Sequence, residues 1–294
     1  MTTFIRKIFM ILIGLLAGTA SWALIELLFY FGESIKYHLL WNSLAGASIG
    51  LFFGLFFGSA EGIILSDFKR SLRGALSGSI MGLAAGVFVV ILAQGLLYTI
   101  VNAELFIRSV NESIIIPVFR ALGWSLLGLV IGSIDGIRSR SIRKIGIGIS
   151  GGFLGGLTGG VLLELLSKNW SNGFFARGTG LAVMGIGIGL FYTLFESSRA
   201  FGLIRVLTGS LRGKEYIIVM KKTKIGSSLN ANIPLGEYSD VLENHAILKV
   251  HKKEVFIERS EGLVLVNDQA VLKHELKYED VIQIGEAKLF YLPR

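Results

Sequence analysis

The chain has 294 residues, with 38 Gly, 3 Pro, no Cys, 52% apolar residues and only 17% charged ones. This composition excludes a disordered chain, a disulfide-stapled fold and a thiolate metal site. The net charge of +8 divides into +6 over residues 1–200 and +2 over residues 201–294. The excess therefore sits with the apolar part, where it reports membrane topology before any nucleic-acid partner.

A first apolar run, Ile8 to Phe31, follows Arg6-Lys7. It is too long for a signal-peptide core of about 7–15 residues, so it reads as a retained helix. Six membrane spans are expected, over residues 8–31, 39–65, 74–101, 121–137, 145–166 and 179–198. Lys69, Arg70 and Arg73 follow the second span, Arg138, Arg140, Arg143 and Lys144 the fourth, and Arg199, Arg205, Arg212 and Lys214 the sixth. The alternate loops hold only Lys36, Arg108, Arg120, Lys168 and Arg177. By the excess of positive charge on the inner side, both termini are expected in the cytoplasm and the protein in the inner (plasma) membrane. Trp170, Phe174 and Phe175 fit an outer aromatic belt. Between Asn102 and Arg120, apolar residues at steps of three or four read as an amphipathic surface helix or a packed cap. Pro117 is expected to end or kink that helix near Ile116.

Glycine recurs every fourth residue. Span two carries Gly46, Gly50, Gly54, Gly58 and Gly62; span three Gly74, Gly78, Gly82 and Gly86; span four Gly128, Gly132 and Gly136; span five Gly148, Gly152, Gly156 and Gly160. Span six, with Gly185 and Gly189, is a partial third copy of this helical-hairpin repeat. Such stripes let helix backbones approach closely in lipid, so a tightly packed all-α bundle is expected over residues 1–200. A pore lined by the stripes is the alternative. Of the intramembrane acids, Glu61, Asp135 and Glu196 lie at cytoplasmic ends beside basic clusters, as interfacial ion pairs would. Glu26 and Glu164 lie deeper, with no basic residue at mid-membrane to pair them, which leaves a functional or oligomer-contact role.

From about Leu203 the pattern turns to short strands: Ile217–Met220, Ala246–Val250, Val255–Ile257, Leu263–Val266, Val281–Ile284 and Lys288–Tyr291. An all-β sandwich is expected over residues 204–294, on the cytoplasmic side. The fragments Gly209–Tyr216, Ile225-Gly226-Ser227-Ser228, Asn232-Ile233, Val241–Ala246, Val266-Asn267-Asp268 and Leu276–Gly285 stand in an order that resembles a forkhead-associated (FHA) domain. The whole layout resembles bacterial membrane proteins that end in such a module. The resemblance implies a sandwich whose end loops bind phosphothreonine peptides. Here, however, Ser227 replaces the family's Arg, Leu242 its Ser and Glu243 the following Arg. These changes remove the charge-assisted donors that a phosphate requires. Gly226, His245, Asn267 and Gly285 then remain as framework, with His245 a hydrogen-bonded structural residue. A partner surface is expected at Ser227, Ser228, Asn230, Leu242, Glu243 and Asn244, in the loops at 227–232, 239–244 and 259–263.

No nucleophile–base pair, phosphate loop or metal-ligand cluster stands out, so neither catalysis, cofactor nor metal is expected. The leading expectation is a membrane protein whose cytoplasmic FHA-like module docks a protein or peptide without needing phosphate. Phosphothreonine sensing, and a transporter or channel regulated by the module, are the alternatives. The expected partners are a cytoplasmic protein, phosphorylated or not, the bilayer, and a further copy of the chain in a homo-oligomer; nucleic acid is not among them.

Overall fold

The computed structural model describes residues 1–31, 38–102, 112–169, 173–228 and 230–294. The chain forms two compact units, one of Lys7–Phe195 and one of Met1–Arg6 with Glu196–Arg294.

Six helices are described: α1 (Thr3–Phe31), α2 (His38–Leu65), α3 (Phe68–Asn102), α4 (Glu112–Arg138), α5 (Ile142–Asn169) and α6 (Gly173–Ser198). All six are long and apolar enough to cross a membrane. In lipid every backbone group must find its partner within the helix, which outweighs the low helix propensity of glycine. All six helices start before the expected spans, and in α4 and α6 the extension takes in an arginine. α4 begins at Glu112 and runs through Pro117 without ending there. Pro117 is the sixth residue of α4, past the four leading N–H groups that lack helical partners, so it removes one i→i−4 bond in the second turn while the helix continues. α6 begins at Gly173 and takes Arg177 into the helix. Of the expected amphipathic segment, 112–120 form the start of α4, while 103–111 lie outside the described residues, as does Trp170.

The glycine stripes set the helix pairing. On α2 and α3, Gly46 faces Gly86, Gly50 faces Gly82, Gly54 faces Gly78 and Gly58 faces Gly74. On α4 and α5, Gly128 faces Gly152 and Gly132 faces Gly148. A third pairing joins α1 to α6, with Gly14 against Gly185, Gly18 against Leu181 and Gly189 against Met10. At each of these positions a Cβ would strike a backbone carbonyl of the facing helix. The second faces of α5 and α6 meet as Gly151, Gly155 and Gly159 pack on Tyr192, Ile188 and Met184. Phe53, Ile131, Leu181, Met184 and Ile188 form the buried centre.

The C-terminal part is a two-sheet sandwich. One sheet has the order β2 (Glu215–Ile218), β1 (Gly202–Val206), β11 (Ala287–Pro293), β10 (Val281–Ile284), β7 (Val264–Val266), β8 (Gln269–Ala270). The other has the order β4 (Ile233–Pro234), β3 (Lys222–Gly226), β5 (Ala246–His251), β6 (Glu254–Arg259), β9 (Lys273–Glu275). Every pairing is antiparallel except β3 with β4. Side chains alternate in and out with period two, so Ile204, Val206, Ile225, Leu248, Ile257, Ile284 and Leu289 fill the core. β1 and β3 add to the expected strands; in β3 the outward Lys222 and Lys224 dilute the apolar signal.

The β7–β8 hairpin turns on Asn267 and Asp268, both with positive φ (49° and 64°). That two-residue turn type matches the right-handed strand twist. Asn267 Nδ2 donates to Asp280 Oδ1 (2.8 Å), and Val281 N donates to Asn267 Oδ1 (3.0 Å). Asp280 Oδ2 accepts from Lys277 N (2.8 Å) and meets His274 Nε2 at 3.1 Å. Burial alone would raise the Asp280 pKa, but the bonds from Lys277, Asn267 and His274 bring it below the usual carboxylate range. A depressed native pKa contributes stability above the unfolded-state value of about 3.9, and that stability is lost as pH falls through the native value. Asp280→Asn is therefore expected to weaken amide-exchange protection in β10 by about 2 kcal/mol at pH 7, and by progressively less below about pH 4. Equal protection in both proteins at neutral pH would show that Asp280 does not carry this network.

Candidate functional site

One end of the sandwich gathers the loops before β5, after β6 and between β10 and β11. Gly226 closes β3 against the backbone of Leu242 and Glu243, where any Cβ would collide. Ser227 N donates to Leu242 O (2.9 Å), and Leu235 N donates to Gly226 O (2.9 Å). His245 is 2% exposed. Its Nδ1 accepts from Leu242 N (3.2 Å), which leaves the proton on Nε2 to be donated to Leu263 O (2.8 Å). His245 thus ties the loop before β5 to the loop before β7. Gly262 lies flat against its ring, where a side chain would overlap the imidazole. At the β10–β11 turn Gly285 holds a φ of +56°, and Glu286 N donates to Ser239 O (3.3 Å).

These contacts frame a groove of about 550 Å³ lined by Asp240, Leu242, His245, Glu261, Gly262, Leu263, Leu265, Gln283, Gly285 and Glu286. Its walls carry three carboxylates and no Lys or Arg. Leu242 and Leu263 are 46% and 53% exposed at its edge. An anion entering here meets repulsion and no cationic donor, whereas an apolar or cationic side chain is complementary.

Among the six expected partner residues, Leu242 lines the groove. Ser227 and Ser228 are half-buried behind it through their backbone bonds to Leu242 and Glu243. Asn230 and Glu243 are exposed beside it, and Asn244 Nδ2 donates to Glu261 Oε1 (3.3 Å). Asp240 and Glu261 fall in two of the expected loops without having been singled out, and Gln283 and Glu286 escaped the sequence reading. The positive-φ glycine after β10 was the available signal for the last two. Of the framework residues, Gly226, His245 and Gly285 build this end, whereas Asn267 belongs to the Asp280 network. Among the described residues no three His, Asp or Glu side chains converge as a metal site would need.

In the helical unit Glu61 meets Arg70 (3.1 Å), Lys144 (3.3 Å) and Arg138 (3.9 Å). Asp135 meets Lys144 (3.5 Å) and accepts from Tyr192 Oη (3.1 Å). Glu196, in the other unit, pairs with Arg6 at 2.6 Å. The two deeper acids correct the sequence expectation that no base pairs them. Arg177 grips Glu26 with two bonds (2.7 and 2.9 Å), and Arg120 lies 3.7 Å from Glu164. Both arginines stand inside helices that begin before the apolar runs do.

Residues 205–293 match the family model described as the inner membrane component of the type III secretion system, cytoplasmic domain. No curated protein gives a match. Solved structures similar to the sandwich include the FHA domain of CT664 from Chlamydia trachomatis, at 20% identity and TM-score 0.30, covering 32% of this chain and 97% of that one. The cytoplasmic domain of the type III sorting-platform protein PscD from P. aeruginosa is similar at 23% identity and TM-score 0.29, covering 31% of this chain and 79% of that one. Slr1951 from Synechocystis is similar at 24% identity and TM-score 0.29, covering 32% and 95%. Six glycine-rich helices long and apolar enough to cross a membrane are thus followed by a two-sheet module similar to FHA domains.

Proposed function

We propose that the protein is a membrane-anchored scaffold. Its FHA-like domain lies on the cytoplasmic side of an inner membrane and docks a protein partner at the groove without requiring phosphate. The observation that carries this reading is the groove lining: three carboxylates, two exposed leucines and no Lys or Arg. A phosphoryl group carries about −1.5 to −2 charges and binds through Arg or Lys donors, so this lining disfavours it. The match to a cytoplasmic domain of a secretion-system membrane component supports a docking role rather than a catalytic one. The basic clusters at one set of helix ends support cytoplasmic termini.

The test is photo-crosslinking of the full-length protein in native membranes, with the probe at Leu242 or Leu263. A protein adduct that survives phosphatase treatment and is lost in Glu261→Lys is expected. An adduct that disappears with phosphatase would mean that phosphate is recognised after all.

A further inference from the structure

The helical unit holds a half-open cavity of about 570 Å³ to which all six helices contribute, from Ile25 on α1 to Leu181 on α6. Its walls are almost wholly apolar. The exceptions are Asn42, Gln94, Arg120 and Arg177, and all four sit toward the helix ends away from the α2–α3 and α4–α5 turns. The cavity is thus an apolar chamber with a polar mouth, of the size of a small-molecule site.

The two arginines at the mouth are not equivalent. Arg177 is committed, with two bonds to Glu26 and its guanidinium 4.5 Å from the centre of the Phe29 ring. Arg120 is 57% exposed, and among the described residues the carboxylate beside it is that of Glu164, 3.7 Å away. Its exposed guanidinium can meet an anion. The chamber behind it cannot stay empty without cost, because lining atoms beside a void lose their dispersion partners. In a bilayer the material at hand to fill it is hydrocarbon.

We propose that the cavity holds an acyl chain of an anionic phospholipid, with the lipid phosphate at Arg120. Neither the docking role nor the sandwich enters this inference. The full-length protein, purified in mild detergent, should retain one phospholipid in native mass spectrometry. In nanodiscs that lipid should be phosphatidylglycerol over phosphatidylcholine by about fivefold, the worth of one basic side chain at an anionic headgroup. Arg120→Gln, which leaves the packing alone, should abolish the preference. Gly123 offers a second handle, since a Cβ there has only Ala93 Cβ within reach, at 3.6 Å. Gly123→Leu should expel the lipid while leaving the melting temperature unchanged or higher. Wild-type protein without lipid, whether the chamber is closed by its own chain or filled by detergent, overturns the proposal. So do equal uptake of the two lipids, a preference that survives Arg120→Gln, and a lipid retained in a folded Gly123→Leu protein.

Discussion

Valine in place of Gly132 will force α4 away from α5 and lower the melting temperature of the full-length protein by roughly 6–12 °C or more. A Cβ at this position strikes the Gly148 carbonyl, which belongs to backbone and cannot rotate away. Overpacking in a yielding core costs about 1–3 kcal/mol, and here the whole helix pair must separate. The dispersion and Cα–H···O contacts along the zipped face are then lost together, and in lipid no hydrophobic effect restores them. Gly95→Ala is the control. Nothing lies within 4 Å of its Cβ, so the change should be neutral or stabilise by up to about 1 kcal/mol. All four tryptophans, at 22, 41, 124 and 170, precede residue 200 and none falls in the sandwich, so tryptophan fluorescence follows the N-terminal part. Equal melting of the two variants would mean that the glycine faces are not in contact.

Removal of the Glu61 carboxylate has the second large expected effect. One side chain on α2 meets Arg70 on α3, Arg138 on α4 and Lys144 on α5. Arg138 in turn donates to Gly58 O (2.8 Å) and Gly74 O (3.3 Å), the last zipped pair of α2 and α3. Glu61→Ala leaves these cations facing one another without the carboxylate they share, while Lys144 keeps Asp135 at 3.5 Å. Breaking a buried ion pair from one side costs about 3–5 kcal/mol, mostly through the charge left behind. Arg70→Gln should cost only about 1 kcal/mol, because Glu61 keeps Lys144 and Arg138. Thermal melts of both variants give the answer: a similar small loss in each would show Glu61 to be a solvated surface acid.

The helical half was legible because spacing carries it: apolar runs of span length, and glycine at every fourth position, which faces one side of a helix. Hydropathy misplaced the ends of α4 and α6 for a physical reason. A run is cut where a charge appears, yet Arg177 is bonded to Glu26 and Arg120 stands exposed near Glu164, both on other helices, so the helices continue past them. The partner of α1 was also hidden, since Gly14 and Gly18 make only one step of the stripe. In the sandwich, the fragment order pointed to the fold and to His245 as a clamp. The fragment order also brought the loops of Asp240 and Glu261 to one end, but Glu286 joins them from the turn after β10, which no local pattern announces.

The pairing of α1 with α6 has a consequence for biosynthesis. The α2–α3 and α4–α5 hairpins join neighbours in sequence and can zip as soon as each second helix emerges. α1 must wait for α6: at about 5–20 residues per second, the stretch from Gly14 to Gly185 takes roughly ten to thirty seconds to make. Throughout that interval the Gly14–Gly18 face of α1 meets lipid or the insertion machinery instead of its partner. A nascent chain halted before Gly185 should therefore expose this face to a crosslinker, and release of a full α6 should cover it.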